Sequence, residues 1–158
     1  LAHLRGQQGN AFVELSLVLL PLMALILGIV DFAMPIFLRS TFTHAVREGA
    51  RYGITYRTEA GLSHTESIKH VVQRHAGGFL NTEEGLEKIH VKFYSPSTFE
   101  EVTGPNANDG GNIVEVSIRD YEWGWTAPLW RSATPLRITV SSADRLEVLP
   151  RGMARPAP

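Results

Sequence analysis

AFVELSLVLLPLMALILGIV, residues 11–30, decides the architecture: an apolar run with a single charge, Glu14. About 20 apolar residues in helical form cross the roughly 30 Å hydrocarbon core of a bilayer. The stretch meets that length, and Phe32 to Leu38 extends it. A cleavable secretory signal has a shorter apolar run followed by a small-x-small site. Here the run passes through Asp31 into an amphipathic continuation, so it reads as a retained single-pass anchor. His3 and Arg5 on the N-terminal flank favour a cytoplasmic N-terminus, against Arg39, Arg47 and Arg51 on the far side. The sequence opens on Leu1 and not on Met, so further residues are expected upstream.

Beyond Asp31 the pattern changes. Ala45, Gly49 and Gly53 recur every four residues and form a small-residue stripe along one helical face. Such a stripe lets a neighbouring element approach the backbone closely, here most simply the domain's own sheet. Arg47, Glu48, Arg51 and Tyr52 occupy other faces. They are candidates for a partner or headgroup contact, and Glu48 is placed to pair with Arg51 three residues on. Pro21 and Pro35 each remove an N–H and favour a kink, which membrane helices tolerate. A helix from Ala11 to Gly53 would be roughly 65 Å long at 1.5 Å per residue. Its second half must therefore leave the membrane.

The remainder reads as a small α+β domain. Ser63-His64-Thr65-Glu66 is a capping box, followed by Ile68, Val71, Val72, His75, Ala76 and Phe79 at helical spacing and by Gly77-Gly78 as the stop. Ile89/Val91/Phe93, Val114/Val116/Ile118 and Leu136/Ile138/Val140 alternate with polar residues as three strands. With no long helix between them, an antiparallel meander is the economical arrangement. Pro150 to Pro158 holds three of the nine prolines and is expected to be a flexible tail, which places the outer domain at residues 54–149.

A net charge of −1 gives no reason to expect nucleic acid, and the absence of cysteine excludes disulfides, thiol catalysis and thiolate-bound metals. The six histidines form no convincing metal site; His70 and His75 are five apart and diverge around a helix. Residues 106–112, rich in Asn and Gly, fail the EF-hand spacing and read as a long connection. No acid, base or nucleophile stands in a recognisable catalytic context. No enzyme, cofactor, metal or small-molecule substrate is expected. Tyr121, Trp123 and Trp125 alternate and Trp130 follows closely. They form a candidate aromatic patch, read as packing at the end of the sheet, as a partner surface or as an interfacial belt.

Glu14 is a carboxylate at the head of a membrane helix, where such groups are costly and commonly functional. Gly9 lies five residues before it. Gly9 to Glu14 resembles the processing site of type IV pilin-like proteins, and the chain, strongly over about Gly9 to Gly53 and more weakly afterwards, resembles the TadE-like family of pseudopilins in tight-adherence (Tad/Flp) pilus systems. The matching residues are Ala11-Phe12-Val13-Glu14-Leu15, Leu20-Pro21-Leu22, Gly28-Ile29-Val30-Asp31-Phe32 and Ala45-Val46-Arg47-Glu48-Gly49-Ala50-Arg51-Tyr52. Leu15 departs from the aromatic residue common at that place.

The resemblance implies a leader at residues 1–9, cleavage between Gly9 and Asn10 by a prepilin peptidase, and a mature helix over 10–53. It also implies a location in the bacterial inner membrane with the C-terminal domain periplasmic, and a role in assembling an adhesive Tad-type pilus, either within the fibre or in its priming. The partners implied are membrane lipid, other pilins or pseudopilins and the inner-membrane platform. Glu14 of one subunit would pair with the new α-amino group of a neighbour and set axial register. The competing reading is an unprocessed, membrane-tethered binding module that displays its outer domain.

Overall fold

A computed structural model describes residues 3–125, 134–149 and 154–158, with side chains from Ala11 onward. Helix α1 spans His3–Ile54 and runs through both Pro21 and Pro35. It begins seven residues before the expected start at Asn10, because nothing between His3 and Gly9 forbids helix; glycine there costs only about 1 kcal/mol relative to alanine. Helix α2 spans His64–His75, α3 spans Glu83–Glu87, and the strands are β1 (Ile89–Tyr94), β2 (Ile113–Trp123) and β3 (Leu136–Arg145). The three form one antiparallel sheet in the order β1-β2-β3, the α+β arrangement expected from the alternation.

The chain divides into two compact units. One comprises residues 1–36 with 123–136, the other residues 37–122 with 137–158. The larger unit thus takes in the last third of α1, where the sequence reading began the outer domain at residue 54. Its core is a three-way meeting of α1, α2 and the sheet. Leu38, Phe42, Ala45, Val46 and Ala50 come from α1, Ile68 and Val72 from α2, and Ile89, Val114, Val116 and Ile118 from β1 and β2. Spacings of three and four along α1 put its contributors on one stripe. In the sheet, Ile89 faces Ile118, Val91 faces Val116 and Phe93 faces Val114, so all three pairs lie on one face, as the two-residue period of the pleat requires.

The glycine stripe is what permits the close approach. A Cβ on Gly49 would stand 2.4 Å from Val72 Cγ2 and 3.4 Å from Val116 Cγ1; one on Gly53 would stand 2.8 Å from Ile68 Cδ1. Ala45, Gly49 and Gly53 are buried, seated against α2 as much as against the sheet.

The start of α2 is as its sequence dictates. Ser63 Oγ accepts from the Glu66 N–H at 3.2 Å, and Glu66 Oε2 accepts from the Ser63 N–H at 3.0 Å. The helix ends at Ala76, followed by Gly77 and Gly78 at φ +65° and +85°, a geometry that disfavours side chains. Helix α3 was not foreseen. It is only five residues long, capped by Thr82 Oγ1 accepting from the Gly85 N–H at 3.1 Å, and too short to show a hydrophobic period.

Of the tail expected over residues 150–158, residues 150–153 lie outside the described residues, and 154–158 make contacts with the domain. The His64 N–H donates to the Ala157 carbonyl at 2.8 Å, Asn108 Nδ2 donates to the Pro156 carbonyl at 3.0 Å, and Arg155 pairs with Asp109. Proline carbonyls remain acceptors even though proline nitrogens cannot donate.

Candidate functional site

The anchor surface comes first. Between Phe12 and Ile36, α1 presents Phe12, Leu17, Leu20, Leu25 and Ile29 to the exterior. Among the described residues nothing else covers its most apolar window. A soluble protein rarely leaves so much contiguous apolar surface open. Glu14 lies exposed on this surface, about one turn from Leu17 and Val18. The Gly9–Asn10 step lies within the first turns of α1.

Arg47 points outward, while Glu48, Arg51, Tyr52 and Thr55 line a groove of about 420 Å³ shared with Arg57 and with Val71, Arg74 and His75 of α2. The Glu48–Arg51 pair allowed by spacing does not form: among the described residues neither makes an ion pair. Glu59 instead gathers Arg74 at 2.8 Å and His70 at 3.2 Å from α2. The His44 and His75 rings lie 5.9 Å apart beside the groove. Both are exposed, so His75 leaves the apolar face to which its spacing assigned it. Arg51 and Arg57 make the groove a surface suited to an acidic group.

Of the candidate aromatic residues, Tyr121 and Trp123 lie on β2 and Trp125 two residues beyond it. Tyr121 meets Phe42 edge-on at 4.8 Å, whereas Trp125 meets Phe32 edge-on at 5.9 Å. Asp120, at φ +53°, breaks the regular strand geometry just before Tyr121. Arg137 on β3 pairs with Glu122 at 3.2 Å. Trp130 lies outside the described residues.

A buried polar knot escaped the sequence reading. His64 is fully buried, stacked between Tyr56 (5.6 Å) and Phe93 (6.2 Å). Its Nε2 lies 3.0 Å from the Gly53 carbonyl, and its Nδ1 lies 3.3 Å from Asn108 Nδ2. The Tyr56 hydroxyl donates to the Asn108 carbonyl at 3.1 Å. A neutral imidazole carrying its hydrogen on Nε2 satisfies this geometry: it donates to the carbonyl and accepts from the amide. His64 sits one turn before Ile68 and two before Val71, so carrying the apolar spacing back one turn would have placed it in the core.

A charged His64 would turn a second N–H toward the amide group of Asn108. Burial accordingly pushes its pKa below the ordinary 6.5, opposed by the Gly53 carbonyl. The unfolded chain then binds a proton that the folded chain resists. Stability is full above about pH 6.5 and falls as pH drops through that value. Denaturant titration of the full chain in detergent is expected to show the midpoint falling between about pH 7 and pH 5. His64→Asn lowers the midpoint at neutral pH and flattens that dependence. A residual slope comes from His90, whose pKa is lowered by burial and then by Arg119, Lys69 and Lys92. An unchanged slope in His64→Asn would refute the assignment.

Among the described residues no group of three or more His, Asp or Glu side chains is arranged to hold a metal. Neither the curated proteins nor the solved structures contain a match to the chain. The family model described as TadE-like protein matches residues 9–51, from Gly9 through the Arg47–Arg51 block, and over that segment the chain is similar to TadE-like proteins of Tad pilus systems.

Proposed function

We propose that the chain is a minor pilin or pseudopilin of a Tad-type (type IVc-like) adhesive pilus, held in the bacterial inner membrane by α1 with its α+β domain on the periplasmic side. The observation that carries this reading is a coincidence of limits. The family match starts at Gly9 and runs along a helix whose apolar face is left open by the protein's own fold. Such a face calls for lipid before assembly and for the helices of other pilins within it.

In this reading a prepilin peptidase cuts after Gly9 and frees the α-amino group of Asn10. The bond lies in helix, but Gly6 and Gly9 each weaken that helix by about 1 kcal/mol relative to alanine, so opening it for cleavage is cheap. Glu14 is exposed on the anchor surface, where a neighbouring subunit's ammonium group can reach it. Arg51 and Arg57, in the groove beside α2, offer a second contact to the pilus platform or to a companion pseudopilin. The role is structural. It requires binding and register but no bond-making by this chain.

Mass spectrometry of the protein purified from a strain carrying its pilus system tests the proposal. The expected result is a mature chain beginning at Asn10. Recovery of the chain with Gly9 and the residues before it still attached would overturn processing and support the unprocessed membrane-tethered module instead.

A further inference from the structure

Two observations meet at one level of α1. Asp31 is only 1% exposed, although Val30 and Phe32 on either side of it are 48% and 60% exposed. Trp125, from the segment leaving β2, lies edge-on to Phe32 with ring centroids 5.9 Å apart. Both belong to the compact unit made of residues 1–36 and 123–136.

That level can be counted in bilayer depth. From Ala11 to Val30 the helix climbs about 30 Å at 1.5 Å per residue, the thickness of a hydrocarbon core. Asp31 and Phe32 therefore stand at the outer boundary of that core. A carboxylate there is costly in contact with acyl chains, and the fold keeps this one covered. An indole favours that boundary, because its ring is apolar and its N–H needs a polar partner.

We propose that Trp125, two residues beyond β2, is a membrane-interface anchor seated beside Phe32 among the glycerol and headgroup atoms of the outer leaflet. The partner is the lipid surface itself. The apolar face of α1 continues past this contact through Ile29, Phe32 and Ile36, all exposed, so Trp125 extends a surface already suited to lipid. The consequence is mechanical. A second attachment at fixed depth holds the first part of α1 at one level in the bilayer, and a single apolar helix free to slide would not be so held.

This inference rests on α1 spanning the membrane, and the two are tested separately. The full chain is reconstituted into phosphatidylcholine–phosphatidylglycerol vesicles whose acyl chains are brominated either just below the headgroup or near the chain ends. Trp123→Phe with Trp130→Phe leaves Trp125 as the sole indole. Its fluorescence is expected to be quenched at least about twofold more by shallow than by deep bromine and to be little affected by aqueous iodide, as for an interfacial indole. The difference between the native chain and Trp125→Phe gives the same quantity should the double variant misfold.

A reporter at Val18, with all three native tryptophans replaced by phenylalanine, monitors the anchor. Quenching of that reporter by deep bromine together with iodide quenching of Trp125 would overturn the interfacial seat alone. So would shielding of Trp125 from both quenchers, which would mark it as purely internal packing or a protein contact. Failure of the Val18 reporter to respond to bromine would overturn the membrane span and this inference with it.

Discussion

Glu14→Ala is expected to leave the chain in the membrane and to remove it from its assembly. The substitution deletes a carboxylate from an exposed apolar helix, so insertion of the lone subunit becomes easier. Insertion scales put that relief at about 2.5–3.5 kcal/mol for a central position and less near the interface. Assembly responds in the opposite direction. A neighbouring subunit's α-amino group, charged or nearly so around neutral pH, loses its counter-ion in a low-dielectric bundle. Removing one partner of a buried pair costs about 3–5 kcal/mol. That corresponds to a loss of roughly a hundredfold or more in association at each such contact.

The measurement is co-purification of pilus components with a tagged chain, alongside the membrane-to-soluble ratio. Glu14→Gln, similar in shape but neutral, is expected to fail nearly as badly as Glu14→Ala. Normal recovery of partners with Glu14→Ala would end the register role of Glu14 and leave it as a headgroup contact. The opposite signs of the two readouts matter, since a merely misfolded chain would lose both.

Gly49→Leu carries the largest effect expected within the outer domain. Even the first atom of a side chain at Gly49 would stand 2.4 Å from Val72 Cγ2, and leucine adds three more carbons between α1, Val72 and Val116. Helix propensity works the other way, favouring leucine over glycine by somewhat under 1 kcal/mol. Overpacking of a close-packed core costs about 1–3 kcal/mol and sometimes more, so sterics win. A loss of about 3 kcal/mol is a large part of the 5–15 kcal/mol typical of a domain. It would appear as a lowered denaturation midpoint of the full chain in detergent.

The cause can be isolated with smaller changes. Gly49→Ala alone is expected to destabilise, whereas in a Val72→Ala background it should be neutral or favourable, because the methyl it strikes has gone. Additivity of the two changes would show that Gly49 does not act through Val72.

These sites differ in how they could be read. The sequence by itself determined whatever local periodicity and chemistry specify. Residues 11–30 carry one charge, Glu14, in an otherwise apolar run, so they read as an anchor in any packing. Ser63 and Glu66 satisfy each other's backbone within one turn. Strand alternation from Ile89, Val114 and Leu136 orients each strand without reference to its neighbours. The run from Ala45 to Tyr52 carries the TadE-like resemblance in a contiguous block.

Tertiary structure decided everything that joins distant residues. His64 meets Asn108 across 44 positions, and the C-terminal residues close on both. Each group alone reads as an ordinary loop or helix polar residue; only their burial together forces the hydrogen bonds that make them a knot. The small-residue stripe announced a close approach but not its partner, since glycine removes an obstacle without choosing what fills the space. Trp125 likewise gave notice of a surface, but its ring partner, Phe32, stands 93 residues earlier and no local pattern names it. An apolar helix is fixed by what its own residues exclude, whereas a site is fixed by which residues the fold brings within reach.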